Sequence, residues 1–244
     1  MSIIVTGGSG KLGKEILKIF PNAIAPTHQD LDIAERKAVI GFIRTSKPSL
    51  VIHTATMVNV RLCEQYKKRA WKTNVMGTEN LIDALLQLKP DVYCIYLSTA
   101  CVFYGDRGFY KENDVPYPKN FYGFTKLMGE FVVKKMPKHL IIRTNFVAKE
   151  KWPYPKAFTD RFGTYLFADD VARALKEIVE LGLTGILHLA GDKKLSMYEL
   201  AKITTPDILP MTLTEYLGPP LTIDMTLDTI KWKKYQISST GAHI

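Results

Sequence analysis

The chain has 244 residues, 46% of them hydrophobic and 23% charged, with 16 glycines and 13 prolines. That composition excludes a disordered or fibrous chain and allows one large domain, or a main domain with a small appendage. Thirty-three Lys and Arg against 24 Asp and Glu leave a net charge of +9, which favours an anionic partner without choosing among nucleic acid, membrane surface and phosphorylated small molecule.

Cys63, Cys94 and Cys101 form no CxxC pair and have no histidine at zinc spacing, so no metal is expected and a reducing, cytoplasmic home is. The apolar run at the N-terminus is too short for a signal peptide or a membrane span.

In chain order, residues 2–6 read as a strand and 11–20 as a helix with Leu12, Ile16, Leu17 and Phe20 on one face, stopped by Pro21. A weak strand is expected at 23–25, a helix at 34–44, a strand at 50–54, one long or broken helix over 64–88, and a strong strand at 92–98. A helix over 122–136, a strand at 139–144, a helix over 169–181 closed by Gly182 and a strand at 185–189 follow. Ser196 and Glu199 have capping-box spacing before Leu200, so a further helix starts there. At least six strands alternating with helices predict an α/β fold, a Rossmann-type, doubly wound parallel sheet. No pattern assigns the proline-containing stretch after Thr204.

Gly7-Gly8-Ser9-Gly10-Lys11-Leu12-Gly13 follows the first strand and runs into the first helix. A pyrophosphate on a helix N-terminus needs backbone amides at contact distance and a small residue where helix meets strand. An unliganded glycine-rich turn competes, but the strand–turn–helix placement favours Gly7, Gly10, Lys11, Leu12 and Gly13 as dinucleotide-binding residues. After the second strand, where a carboxylate would bond the ribose 2′-hydroxyl of NAD, stands Pro26-Thr27-His28-Gln29. With that carboxylate missing and a contact from His28, NADPH is preferred and NADH is the alternative.

Tyr122 and Lys126 stand four residues apart on one helix face. A nearby cation stabilises a phenolate and brings the proton donor, with an ordinary pKa of about 10, toward the working range. Alone, such a pair is usually a surface contact. Here Ser98 and Thr99 close the strand at 92–98, the sheet edge where ligands of α/β folds sit. The set suits hydride transfer from a nicotinamide, with Thr99 holding the substrate oxygen, Tyr122 protonating it and Lys126 also touching the ribose.

Other features have plainer readings. His53 and His188 are expected to be satisfied core histidines, and Cys63 and Cys101 packing residues. Lys67-Lys68-Arg69 and Lys231-Trp232-Lys233-Lys234 have the composition of a nucleic-acid surface, yet without an accompanying motif a solvated face is favoured. Trp152-Pro153-Tyr154-Pro155 is either a loop over the substrate or a stiff connector.

Taken together, TGGSGKLG at 6–13, LDI at 31–33, VIHTA at 51–55, NVMGTENL at 74–81, LSTACVF at 97–103, YGFTKLMGE at 122–130, IIRTNFV at 141–147 and FGTYLFADDVARAL at 162–175 resemble the extended short-chain dehydrogenase/reductases, and within them the dTDP-4-dehydrorhamnose reductase group. The resemblance implies that Thr99, Tyr122 and Lys126 are catalytic with Ser98 beside them, that Asn74 supports the strand edge, that Asp32 and Ile33 flank adenine and that Ala55 and Thr56 line the cofactor. It places Val102, Arg143, Asn145 and Trp152 on the substrate side.

By the same resemblance, residues 1–145 form the cofactor domain, its sheet completed by about 164–190, and 146–163 with 191–244 form a small, shortened substrate lobe. The implied reaction is NADPH-dependent reduction of a 4-keto-6-deoxy sugar on a nucleoside diphosphate. The partner is thus a nucleotide-sugar, with no membrane or nucleic acid; a homodimer is left open. A cofactor-binding regulatory subunit without turnover and an epimerase or dehydratase are the alternatives. Three departures bear on the choice: Ala100 and Arg61 replace acidic residues of the group's pattern, and Phe162 stands only 18 positions after Thr144.

Overall fold

Alternating side chains on five short strands decide the architecture of the computed structural model, which describes residues 2–238; Met1 and residues 239–244, at the outer ends of the two expected lobes, lie outside the described residues. Strands β1 (Ile3–Thr6), β2 (Leu50–His53), β3 (Tyr93–Leu97), β4 (His139–Thr144) and β5 (Gly185–Leu189) pair in parallel in that order. Val5, Ile52, Ile95, Ile142 and Leu187 point to one face, against helices α1 (Lys11–Ile19) and α5 (Ala168–Leu181). Ile4, Val51, Cys94 and Ile141 point to the other, against α2 (Arg36–Ser46), α3 (Gly77–Leu88) and α4 (Phe121–Val133). With both faces covered, the strands read as apolar runs.

One expected element differs, and another takes the broken form of its two alternatives. The strand at 23–25 is a single bridge of Ile24 to Ile4, because Pro26 has no amide with which to extend a ladder. The 64–88 stretch is broken into helices Val60–Gln65 and Lys67–Trp71, a π-helical turn Lys72–Met76 and α3. The break falls at Tyr66, whose φ of −117° and ψ of 56° leave the helical region.

A third core, of Phe103, Tyr110, Trp152, Tyr165, Leu200, Met225 and Leu227 among others, forms apart from the two on the sheet faces. It draws residues 100–110, expected in the cofactor domain, into the same packing as 152–165 and 200–227. Short pairs, Phe162–Gly163 between Leu195–Ser196 and Asp224–Met225, and Leu209–Met211 with Lys156–Phe158, frame it. Helix α6 (Met197–Thr204) begins at the expected box, with the Ser196 hydroxyl accepting from the Glu199 amide and Glu199 from the Ser196 amide. Beyond it, Lys231 donates to the Ile186 carbonyl and Tyr235 bridges to Gly191, so this part of the unassigned stretch blunts the free edge of β5.

Candidate active site

On the α4 side of the sheet, the apolar pattern ends one row short of the strands' C-terminal ends. Thr6, His53 and Tyr96 stand there in register across β1, β2 and β3, and Arg143 and His188 across β4 and β5. Thr78 Oγ1 donates to the Asn74 carbonyl, so it accepts from His53 Nε2 at 3.0 Å and leaves Nδ1 to accept from Thr6 Oγ1 at 2.6 Å. Burial, then the charge of Lys126, drive the His53 pKa down to about 3, so the ring is a neutral spacer.

Helix α4 starts over this row for local reasons. The Asn120 side chain accepts from the Gly123 amide at 2.9 Å and Glu64 from the Phe121 amide at 2.6 Å, satisfying two N-terminal donors. The first turn so fixed carries Tyr122, and Lys126 and Glu130 follow at intervals of four on the buried side. Thr99, just after β3, accepts from the Cys101 amide. Burial raises the Tyr122 phenol above its ordinary value, and the influence of the Thr99 hydroxyl opposes the rise. Lys126 is 2% exposed, with its ammonium 4.0 Å from the centre of the Tyr96 ring. Burial lowers its pKa to about 7, against the pull of Glu130. The expected tuning of tyrosine by lysine is thus incomplete in the chain by itself: burial acts on both groups, raising one and lowering the other.

Asn74 ties this helix to the segment after β2. It accepts from the Met57 amide at 2.7 Å and donates to the Met57 carbonyl and to Thr125 Oγ1. The π-helical turn is what aims it there. Ala55 packs on the glycine turn, and Thr56 Oγ1 is buried without a hydrogen-bond partner.

The turn fits a dinucleotide pyrophosphate. Gly7 has φ +75°, and a Cβ there would stand 2.8 Å from the Ala55 amide; one at Gly13 would stand 2.2 Å from the Gly7 carbonyl. No side chain caps α1 at Gly10, so its first amides remain open to an anion. Beside them a cleft is lined by Lys11, Lys18, Lys149 and Glu150, with Lys11 and Glu150 in an ion pair. Leu12 is buried in the core. At the expected adenosine end His28 is exposed, Asp32 accepts from the Ala34 amide, and buried Ile33 packs on Gly77.

Several side chains do other work than expected. The Ser98 hydroxyl donates to Glu130 at 2.6 Å, away from Thr99's task. Arg143, placed on the substrate side from sequence, is 2% exposed and donates to both Glu130 oxygens at 2.9 and 2.7 Å. Val102 and Trp152 belong to the small-lobe core, and Asn145 donates to the Met225 carbonyl. All four are buried. Burial pushes the Cys63 thiol up to about 11, as suits a packing residue. Three of the six cations in the basic runs are in ion pairs, Lys67 with Glu64, Lys233 with Glu177 and Lys234 with Asp228, while Trp232 is half-buried on the Tyr235 hydroxyl. Among the described residues no helix is long and apolar enough to cross a membrane.

Sequence reasoning gave Glu130 no role. Its signal is a carboxylate four residues beyond Lys126 on an otherwise apolar helix face, with an arginine ending a buried strand.

A dTDP-4-dehydrorhamnose reductase of Aggregatibacter actinomycetemcomitans is 28% identical over 229 residues, covering 82% of this chain and 76% of that protein. The methionine adenosyltransferase 2 subunit beta of Danio rerio is 25% identical over 254 residues, covering 86% and 77%. The crystal structure of dTDP-4-dehydrorhamnose reductase from Bacillus anthracis in complex with NADP superposes with a TM-score of 0.88 at 23% identity, over 98% of this chain and 96% of that one. The RmlD substrate binding domain profile matches residues 1–209, and the chain belongs to that family, within the extended short-chain dehydrogenase/reductases.

Proposed function

We propose that the protein is an NADPH-dependent reductase of a 4-keto-6-deoxy sugar carried on a nucleoside diphosphate, with Tyr122 as the proton donor. The observation that carries the reading is the buried Lys126 following Tyr122 by one turn on the inward side of α4, whose phenol feels the Thr99 hydroxyl. NADPH would lie along Gly7, Gly10, Lys11 and Gly13, with Ala55, Thr56 and Asn74 beneath it and Asp32 and Ile33 toward adenine; the NADP complex of the Bacillus anthracis relative supports the choice of cofactor. When bound, it supplies the hydride.

The residues do the rest. Thr99 and Tyr122 hold the substrate carbonyl oxygen from two sides, and Tyr122 releases its proton to that oxygen as negative charge develops there. Its raised pKa keeps the phenol protonated until then. Lys126 stabilises the phenolate that remains, and the charge of a polyanionic ligand nearby restores the ammonium that burial disfavours. The division of labour between a cofactor domain and a small substrate lobe belongs to this proposal. Tyr122→Phe is expected to lower substrate-dependent NADPH oxidation about 10³-fold, within the range for a lost proton donor, with NADPH binding retained; unchanged turnover would overturn the reading.

A second reading, a regulatory subunit that binds cofactor without turnover, is favoured by one arrangement. The two positions where the family pattern is acidic hold a fully buried Ala100 and an Arg61 that donates to the Leu217 carbonyl. Stoichiometric capture of a larger enzyme, with NADPH bound but no keto sugar reduced, would decide for it.

A further inference from the structure

The catalytic helix carries a third inward side chain, and the reaction as described leaves it idle. Glu130 is fully buried, one turn beyond Lys126 on the same face of α4. Its Oε1 accepts from Ser98 Oγ at 2.6 Å and Arg143 Nε at 2.9 Å, and its Oε2 from Arg143 Nη2 at 2.7 Å. A buried ion pair adds little stability over well-packed apolar residues of similar size, so the fold alone gives no reason for a carboxylate there. Its surroundings do: Ser98 precedes Thr99 in the chain, and Lys126 precedes Glu130 by one helical turn.

We propose that Glu130 is a positioning residue of the reductase site, whose bond to Ser98 holds the strand end that presents Thr99 and whose negative charge keeps Lys126 protonated in a pocket that strips charge. This rests on the roles assigned above to Thr99 and Lys126. The groups facing this region are His53 from β2, Tyr96 from β3, Arg143 from β4, His188 from β5, and Tyr122 and Glu130 from α4 itself. Burial keeps His53 neutral and lowers His188, whose Nδ1 faces the Tyr110 and Asp228 carbonyls. Glu112, behind His188, is engaged by the His188 amide, Thr229 and the Ile230 amide. Within this set the charge on Lys126 is decided between burial, which lowers its pKa, and Glu130, which supports it and is itself held by Arg143.

Opposite substitutions separate a charge role from a structural one. The protein is labelled with ¹³C at lysine Cε, without cofactor or substrate, and the resonance of Lys126, assigned by its loss in Lys126→Met, is titrated. Glu130→Gln leaves Arg143 uncompensated and is expected to lower the Lys126 midpoint by about one pH unit or more, tenfold in proton affinity; Arg143→Met leaves Glu130 unopposed and is expected to raise it comparably. Glu130→Asp, which retains the charge but shortens the reach to Ser98, is expected to hold the midpoint within about 0.3 unit while turnover falls about tenfold.

A midpoint unmoved in either folded single variant, or moved the same way in both, would overturn the proposal; if one variant does not fold, the other carries the test. The titration needs no reaction. Opposite shifts alongside absent turnover would therefore count against the reductase reading and leave the charge role of Glu130 standing.

Discussion

The glycine turn and the third core use their residues differently. On the cofactor side the glycine turn leaves backbone amides of α1 open and keeps Cβ atoms out of the space above them. In the small lobe, by contrast, the residues expected to meet a substrate hold the lobe together: Trp152 lies in its core, Asn145 ties β4 to Met225, and Val102 is fully buried. Few residues separate β4 from Phe162, so a short lobe must draw its own core from side chains that a longer one could spare for recognition.

That contrast can be broken by substitution, and the largest effect is expected at the turn. Gly13→Val should abolish NADPH binding by fluorescence titration, because its first carbon already collides with the Gly7 carbonyl; binding within about tenfold of the parent, roughly 1.4 kcal/mol, would show that the turn is not the cradle. In the small lobe, Trp152→Ala should cost about 3–5 kcal/mol in denaturant unfolding, the range for a large aromatic lost from a core, and leave KM for the nucleotide-sugar within a few-fold. A selective rise in KM at unchanged stability would return Trp152 to the substrate.

Lys126 sharpens the comparison through pH. Its folded pKa of about 7 lies below the ordinary 10.5, so between those values the unfolded chain binds more protons and stability rises with pH. Keeping the lysine costs stability below about pH 7, and Lys126→Met should unfold later than the parent at pH 6, by a few kcal/mol at most, while losing turnover. A parent whose stability falls from pH 7 to 9 relative to Lys126→Met would contradict the depressed pKa. The smallest effect is expected at the surface: Lys233→Ala, breaking an exposed pair with Glu177, should change stability by less than about 1 kcal/mol and leave nucleotide binding unaltered.

Much of the fold was legible because its signals are local. β1, β4, β5 and the capped start of α6 follow from apolar runs, a glycine stop at Gly182 and the Ser196–Glu199 box. The fate of the 23–25 strand and the choice between a long and a broken 64–88 helix were not, since the first depends on whether a neighbour can extend the ladder and the second on a break at Tyr66. In the site, the glycine turn and the Tyr122–Lys126 spacing stood out for the same reason: each is a short stretch whose chemistry depends on its own backbone period.

Sequence alone therefore determined the alternating sheet, the phosphate-type turn and a tyrosine and lysine sharing a helix face, because spacing along one chain settles which side chains are neighbours. Only the tertiary structure decided which polar groups are spent on each other. Glu130 lies on α4, Arg143 on β4 and Ser98 just after β3, and nothing in their separations of 32 and 13 residues marks them as partners. Burial does so, since a carboxylate removed from water must find its donors wherever the packing of helix on sheet has put them.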